Sequence, residues 1–473
     1  MTQQRYEIGM VGLGVMGRNL VLNIAEHGYT VAGYDKDTSK VKALRTEGSG
    51  QAIFAAETKA DFIAALRTPR AVMMLVPAGA PVDAVIRDLL PQLEKGDVII
   101  DGGNSFFKDT DLRQKTLAEK GIRYLGVGIS GGAEGARHGP SMMPGGPPEA
   151  YEPVRPIFEA VAAHVNGEPC VTYLGPGSAG HYVKMVHNGI EYGLMQLIAE
   201  TYDLMKRGLD MSDDELHEVY RQWNQAELSS FLLEITADIF CQPDKQSDRR
   251  LIDVILDEAK QKGTGMWTSQ SAMELHEPTP TIDLAVSMRD LSAFKDQRAA
   301  ASRLYEGPPH HFLGNRDTFI GQLRSALYAG TLLTFAQGMA LLRRASSAYN
   351  YQLSLAHVAR IWRGGCIIRT ALLEDIYQAY QDQPDLSNLL FSPLIAQGLM
   401  AQQEHLRTIV HYAVGLGLPT PALAASLAYL DAYRSFWLPA NLIQAQRDYF
   451  GAHTYERTDE KGVFHTQWTH EEG

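Results

Sequence analysis

Lys184, His187, Asn188 and Glu191 are spaced i, i+3, i+4 and i+7 inside a run whose other members include Val183, Met185, Val186, Ile190, Leu194 and Met195. On a helix turning about 100° per residue, the four polar side chains form one narrow stripe along two turns, with apolar residues on its flanks. For an arbitrary helix such a stripe is a solvated face, its lysine and glutamate paired across the turns. The apolar flanks argue instead for a largely buried helix, in which four polar groups need something to bond. An amine in a partly desolvated crevice beside positive charge sheds its proton readily and becomes a base for an alcohol, while a carboxyl group two turns away supplies an acid. Asn104, Ser130, Asn188 and the amides of Gly131 and Gly132 offer donors and acceptors for hydroxyls and a carboxylate.

The elements upstream indicate what such a crevice would hold. Gly12-Leu-Gly14-Val-Met-Gly17 follows the apolar run EIGMV and opens a helical stretch to about His27, with Gly28 placed to cap it. Gly12 suits the tight turn, Gly14 lets the backbone approach a pyrophosphate, and Gly17 allows close helix-to-strand packing. A second run, TVAGY, leads to Asp35, 18 residues past Gly17. This context, rather than the glycines alone, predicts dinucleotide binding. A carboxylate at Asp35 accepts hydrogen bonds from the ribose hydroxyls of NAD and repels the 2′-phosphate of NADP. Lys36 and Lys40 are the nearby cations that would serve the phosphate. NAD is therefore the expected cofactor, with NADP the alternative. Three more glycine-bearing turns follow strand-like runs: Pro77-Ala-Gly79, Gly102-Gly103-Asn104-Ser105, and Ser130-Gly131-Gly132 continuing through GARHGPSMMPGG. In a parallel sheet all of them emerge at the carboxyl edge, beside the first glycine turn.

The runs EIGMV, TVAGY, AVMMLV, DVIID, RYLGVGI and CVTYL alternate with amphipathic stretches, the rhythm of a doubly wound parallel α/β sheet. After Gly180 the pattern changes. Val183 to Arg207, Phe319 to Arg344 and Leu418 to Phe436 carry apolar residues at helical spacing with few strand candidates between them. The expected architecture is an N-terminal Rossmann-like α/β dinucleotide-binding domain over residues 1–178, a large all-α domain over 179–440 for substrate and dimerisation, and a C-terminal tail over 441–473. Its last segment, roughly Asp448 to Gly473, is too poor in aliphatic residues to form a core and needs a surface to lie on. A weak internal match sets Gly189 on Gly330 and Gln196 on Gln337, consistent with duplication of one helical unit. The net charge of −12 gives no general attraction for nucleic acid or an anionic membrane, so an anionic substrate would need a local basic cluster. Cys170, Cys241 and Cys366 lie far apart without a CxxC pair, and no His/Asp/Glu cluster has metal spacing, so neither a disulfide framework nor a metal is expected. With strand-like sequence from Tyr6 and no long uninterrupted apolar run, the expected location is cytoplasmic.

Taken together, GLGVMGRNL, DGGNS, GISGGAEGARHGPSMMPGG and GPGSAGHYVKMVHNGIEY closely resemble the β-hydroxyacid dehydrogenase superfamily. KGTGMWT (Lys262 to Thr268) and RDYFGAHTYE (Arg447 to Glu456) narrow the resemblance to the decarboxylating 6-phosphogluconate dehydrogenase family, over nearly the whole chain. The resemblance implies a pentose phosphate pathway enzyme that oxidises 6-phosphogluconate at C3 and releases CO2 to leave ribulose 5-phosphate. It assigns Lys184 as the base on the 3-hydroxyl and Glu191 as the acid that protonates C1 once CO2 has left. It implies cofactor contacts at Gly12, Gly14, Val15, Met16, Gly17, Asp35, Lys36, Val76 and Asn104. Asn104, Ser130, Gly131, Gly132, His187 and Asn188 fall on positions that hold the sugar acid, and Tyr192, Lys262, Thr264 and Arg289 on positions that bind its phosphate. Arg447 and His453 would join them from the tail of the other subunit of a homodimer.

The chain departs from the family's common pattern at Gly14, where many members carry Ala, and at Asp35 and Lys36, where NADP-using members carry Asn and Arg. Phe106 and Phe107 replace a usual Glu-Tyr pair, and Met266 replaces a second Lys. A non-decarboxylating β-hydroxyacid dehydrogenase acting on a small unphosphorylated acid is the nearest rival, and Lys262, Arg289, Arg447 and the long second domain speak against it. A catalytically silent dinucleotide-binding scaffold would have no use for both Lys184 and Glu191.

Overall fold

A computed structural model describes residues 5–468; Thr469 to Gly473, the end of the expected tail, lie outside the described residues. The chain divides into two compact units, Met1–Ser426 and Leu427–Gly473.

The first unit begins with a seven-stranded sheet of order β3-β2-β1-β4-β5-β6-β7, made of β1 (Ile8–Val11), β2 (Val31–Tyr34), β3 (Ile53–Ala55), β4 (Ala71–Met74), β5 (Val98–Asp101), β6 (Arg123–Ser130) and β7 (Ser141–Gly145). Alternate strand residues enter two apolar layers. Ile8, Met10, Met73, Val98 and Ile100 pack with Leu20, Val21 and Ile24 on one face. Val11, Val72, Met74 and Ile99 pack with Phe62, Val82 and Leu117 on the other. Burial of both faces is why these strands read as unbroken apolar runs. The strand order reverses direction between β1 and β4, the point where open α/β sheets bind ligands.

Three features differ from the sequence expectation. The sheet is not wholly parallel, because β7 runs antiparallel to β6, with Ser130 opposite Ser141. It lies in the glycine-rich stretch read as turn, where Met142 and Met143 are buried between glycines and prolines that mimic turn chemistry. Cys170 to Leu174 is not a sheet strand and makes one bridge, Val171 to Met142. The short strand β3 carried too few residues for its period to register.

After Gly180 the first unit is helical. Helix Ala179–Asp203 is buried along most of its length and packs against helix Arg316–Ala348. The second of these is long and apolar enough to cross a membrane, but 89% of its most apolar stretch is buried inside the protein. Side chains of one helix fill glycine notches in the other. A Cβ at Gly330 would meet Leu197 Cδ2 at 2.9 Å, and one at Gly193 would meet Thr334 Cγ2 at 2.6 Å.

The second unit has more internal order than a bare tail. Helix Ala440–Gly451 carries Asp448, whose buried carboxylate accepts from Thr454 N at 2.9 Å, Thr466 N at 3.0 Å and Trp468 Nε1 at 2.8 Å, and also pairs with His465.

Candidate active site

Gly12 has φ +95, a left-handed conformation favouring glycine, and a Cβ at Gly17 would overlap the Gly12 carbonyl, so the first turn closes tightly onto helix Val15–Glu26. Gly14, the N-cap of this helix, has no side-chain cap, and a Cβ there would meet nothing within 4 Å. An uncapped helix N-terminus facing open space leaves amide donors for an anion, and the missing Cβ leaves room for the backbone to reach a pyrophosphate. The turn thus fits a nicotinamide dinucleotide.

Asp35 is placed differently from the simple expectation. Its carboxylate, 8% exposed, accepts from Leu13 N at 2.8 Å and Asp37 N at 2.9 Å, so it ties the end of β2 to the glycine turn. Its charge thus lies directly beside that turn. Lys40 Nζ lies 3.6 Å from Asp35 Oδ2, and Lys36 is exposed.

Asp101, fully buried at the end of β5, shapes the next two turns. Its carboxylate accepts from Gly103 N at 3.0 Å, Ser105 Oγ at 2.6 Å and Tyr124 Oη at 2.8 Å. Burial and this carboxylate hold the Tyr124 phenol well above its ordinary range. Arg113 then donates to Asp83 Oδ1 at 2.7 Å, to the Gly79 carbonyl at 3.2 Å and to Ser105 Oγ at 3.4 Å, linking the 77–79 turn to the 102–105 turn.

Helix Ala179–Asp203, which carries the polar stripe, begins against the sheet edge. Gly180 is required there, because a Cβ would lie 2.5 Å from the Gly126 carbonyl of β6. One turn later the Lys184 stem passes over Gly128, where any side chain would collide with it. Close backbone approach, rather than a salt bridge, sets the height of Lys184 against β6. Lys184 is 5% exposed, and burial lowers its ammonium pKa, partly opposed by Glu191 and Cys366. Burial raises the Glu191 carboxyl, opposed by Lys184 and Arg289. His187 lies between them, with Nδ1 3.3 Å from Lys184 Nζ and 3.8 Å from Glu191 Oε2, and Nε2 3.1 Å from Ser130 Oγ. Burial and the neighbouring lysine push the imidazole well below its usual range, so it is neutral. Asn188 Nδ2 donates to Thr264 Oγ1 at 3.0 Å, leaving its Oδ1 3.1 Å from His187 Nδ1. That oxygen calls for a proton on Nδ1, and a protonated Nδ1 facing Lys184 favours the neutral amine.

These walls enclose a crevice of about 830 Å³. Gly14, Val15, Met16, Gly17, Val76, Asn104, Asn188, Glu191, Tyr192, Lys262, Thr264 and Arg289 line it, bringing together cofactor and substrate positions read from sequence. Lys184, His187 and Ser130 form a buried row at the level of Asn188 and Glu191. Gly131 and Gly132 start helix Gly132–His138 next to Ser130. Arg289 lies over the Tyr192 ring, 3.4 Å from its centroid, and donates to the Lys260 carbonyl at 3.2 Å. All the lining residues belong to the first unit, while Arg447 and His453 are exposed on the second. Sequence reasoning missed Lys260, Gln261 and Met195 in the lining. Two lysines flanking Gln261 in an acidic chain were the available signal.

Comparisons with known proteins agree with this geometry. Residues 7–175 match the profile of the NAD binding domain of 6-phosphogluconate dehydrogenase, and residues 180–468 match that of the 6-phosphogluconate dehydrogenase C-terminal domain. The chain is 51% identical over 465 residues to a Bacillus subtilis protein named 6-phosphogluconate dehydrogenase, NADP(+)-dependent, decarboxylating, covering 98% of this chain and 99% of that one. It is also 51% identical to the Escherichia coli decarboxylating 6-phosphogluconate dehydrogenase, with the same coverage. Among solved structures, Plasmodium falciparum 6-phosphogluconate dehydrogenase, studied in its apo form and with NADP+ and with 6-phosphogluconate, superposes with a TM-score of 0.94 at 43% identity, covering 98% of this chain and all of that one.

Proposed function

The chain belongs to the 6-phosphogluconate dehydrogenase family, and we infer from this and from its crevice that it converts 6-phosphogluconate to ribulose 5-phosphate and CO2 while reducing a nicotinamide dinucleotide. The observation that carries the reading is the Lys184–His187–Glu191 row, its lysine and histidine buried and its glutamate at the crevice wall, where desolvation favours the neutral amine and the protonated acid together.

In this mechanism neutral Lys184 takes the proton of the 3-hydroxyl. A nicotinamide dinucleotide held by the glycine turn, Val76 and Asn104 would supply the acceptor for the hydride that leaves C3. The ketone so made is β to the carboxylate and serves as sink for the electrons of the breaking C–C bond. The Lys184 ammonium returns its proton to the ketone oxygen as CO2 leaves, giving an enediol. Glu191 protonates the carbon that becomes C1 of the product, and Lys184 takes back a hydroxyl proton as the new ketone forms. His187 holds Lys184 and Ser130 in register, while Asn104, Ser130, Gly131, Gly132 and Asn188 orient the hydroxyls and carboxylate. Tyr192, Lys262, Thr264 and Arg289 hold the phosphate, with Arg289 suited to bidentate contact.

We assign NAD as the preferred dinucleotide, since the Asp35 charge stands beside the glycine turn where a 2′-phosphate would have to be accepted. NADP is the second reading, favoured by Lys40 close to Asp35 and by the cofactor named for the Bacillus and Plasmodium relatives. We further propose a homodimer in which Arg447 and His453 of each tail complete the phosphate site of the other subunit. Turnover of 6-phosphogluconate with each cofactor at matched concentration, with analysis for CO2 and pentulose phosphate, tests the whole reading. Release of an intact 3-keto acid without CO2 would replace it with the non-decarboxylating alternative. Asp35→Asn is expected to narrow the preference for NAD, and an unchanged ratio would assign selectivity elsewhere.

A further inference from the structure

The turn Lys262-Gly263-Thr264 carries two of the assigned phosphate ligands, and Gly263 there adopts φ +97. The Trp267 ring backs the turn, since a Cβ at Gly263 would meet Trp267 Cζ2 at 3.3 Å. Phe106, from the cofactor-binding part of the chain, packs against the same indole, with ring centroids 4.9 Å apart and planes inclined by 40°. Phe106 directly follows Ser105, whose hydroxyl is bonded to buried Asp101 at the end of β5. A continuous path of packed groups therefore runs from the sheet, through Ser105, Phe106 and Trp267, to the turn.

Resting on the assignment of Lys262 and Thr264 to the phosphate, we propose that Phe106 is a positioning residue for this anion-binding turn. Through Trp267 it sets how strongly the enzyme prefers a phosphorylated sugar acid to the same acid without phosphate. Its neighbours do other work. Phe107 is buried and packs edge-on to Tyr182 at 4.9 Å, while Lys108 bonds the exposed Glu274 at the opposite end of helix Thr264–Glu274. Phe106 makes the ring contact with the indole that supports Gly263. The ring is half-buried, so its loss leaves the two apolar layers of the sheet untouched.

The test is steady-state kinetics of Phe106→Leu, which keeps apolar bulk and loses the ring, with 6-phosphogluconate and with gluconate under saturating cofactor. The KM for 6-phosphogluconate should rise about three- to tenfold, the range an aromatic pair supports. The kcat/KM for gluconate should stay at its original value, and Phe106→Tyr should restore the phosphorylated substrate's KM. Equal losses on both substrates, or an unmoved KM, overturn the proposal. Lys262→Ala separates the phosphate contact of the turn from its bracing by Phe106. If it leaves the KM for 6-phosphogluconate unchanged, the phosphate assignment itself falls; if it raises that KM and Phe106→Leu does not, the brace alone falls.

Discussion

Burial acts in opposite directions on the amine of Lys184 and the carboxyl of Glu191, and both shifts suit the proposed reaction, in which one group starts without a proton and the other with one. Because the two interact, they titrate as a pair that works while holding a single proton. At low pH both are protonated and Lys184 cannot act as base; at high pH neither is, and Glu191 has nothing to give. The kcat/KM for 6-phosphogluconate should therefore be bell-shaped in pH, and Glu191→Gln should leave a weak activity that only rises with pH. A variant that keeps both limbs would remove Glu191 from the pair. Lys184→Ala should lose turnover by at least about a hundredfold while still binding cofactor, as judged by fluorescence titration. The stripe was legible in the sequence because helical spacing is a local property. The inward turn of Asp35 was not, since it depends on a backbone N–H two elements away.

Helix Ala179–Asp203 carries the proposed acid–base pair towards one end and a structural anchor at the other. Glu200, 2% exposed, accepts from Ala422 N at 2.8 Å and Leu423 N at 2.9 Å, capping helix Pro421–Tyr433 from a distant part of the chain, and also accepts from Gln196 Nε2 at 3.0 Å. Burial pushes its carboxyl from 4.5 up to about 7 despite these donors. A raised folded-state pKa means that its contribution to stability is full below 4.5 and is lost as pH rises through about 7. Glu200→Gln should therefore flatten the pH dependence of unfolding free energy in that window relative to the parent. It should also cost about 1–3 kcal/mol, because its amide group cannot accept from both backbone N–H groups. Denaturant titrations at several pH values read both effects, and parallel curves for the two proteins would dismiss Glu200 as the source. Long periodic helices such as this one were plain from sequence, as were the five runs that became β1, β2, β4, β5 and β6. The antiparallel β7 was hidden because its register comes from pairing with β6, which no local pattern records.

At the scale of the whole molecule, a chain of net charge −12 must hold a substrate bearing both a carboxylate and a phosphate, so its cations have to be concentrated. Lys260, Lys262 and Arg289 supply them within the crevice. The second unit carries Arg447 and His453 together with exposed Phe436, Trp437, Leu442, Ile443, Tyr449 and Phe450, far more apolar surface than a free segment of its size tolerates. A tail with polar ligands and an uncovered aromatic face fits the proposed exchange, in which each subunit's site is finished by the other's residues. Complementation distinguishes this from a tail that serves its own subunit. Lys184→Ala has a dead site and a sound tail; Arg447→Ala has a sound site and a defective tail. Each homodimer should be nearly inactive. Unfolded together in equal amounts and refolded, the two chains should form hybrids in which the Lys184-bearing site receives an intact Arg447. Random pairing makes half of the dimers hybrid with one working site each, so activity should recover to about a quarter of the parent value. No recovery, with hybrid formation verified by differently tagged chains, would mean that Arg447 acts within its own subunit or not at all.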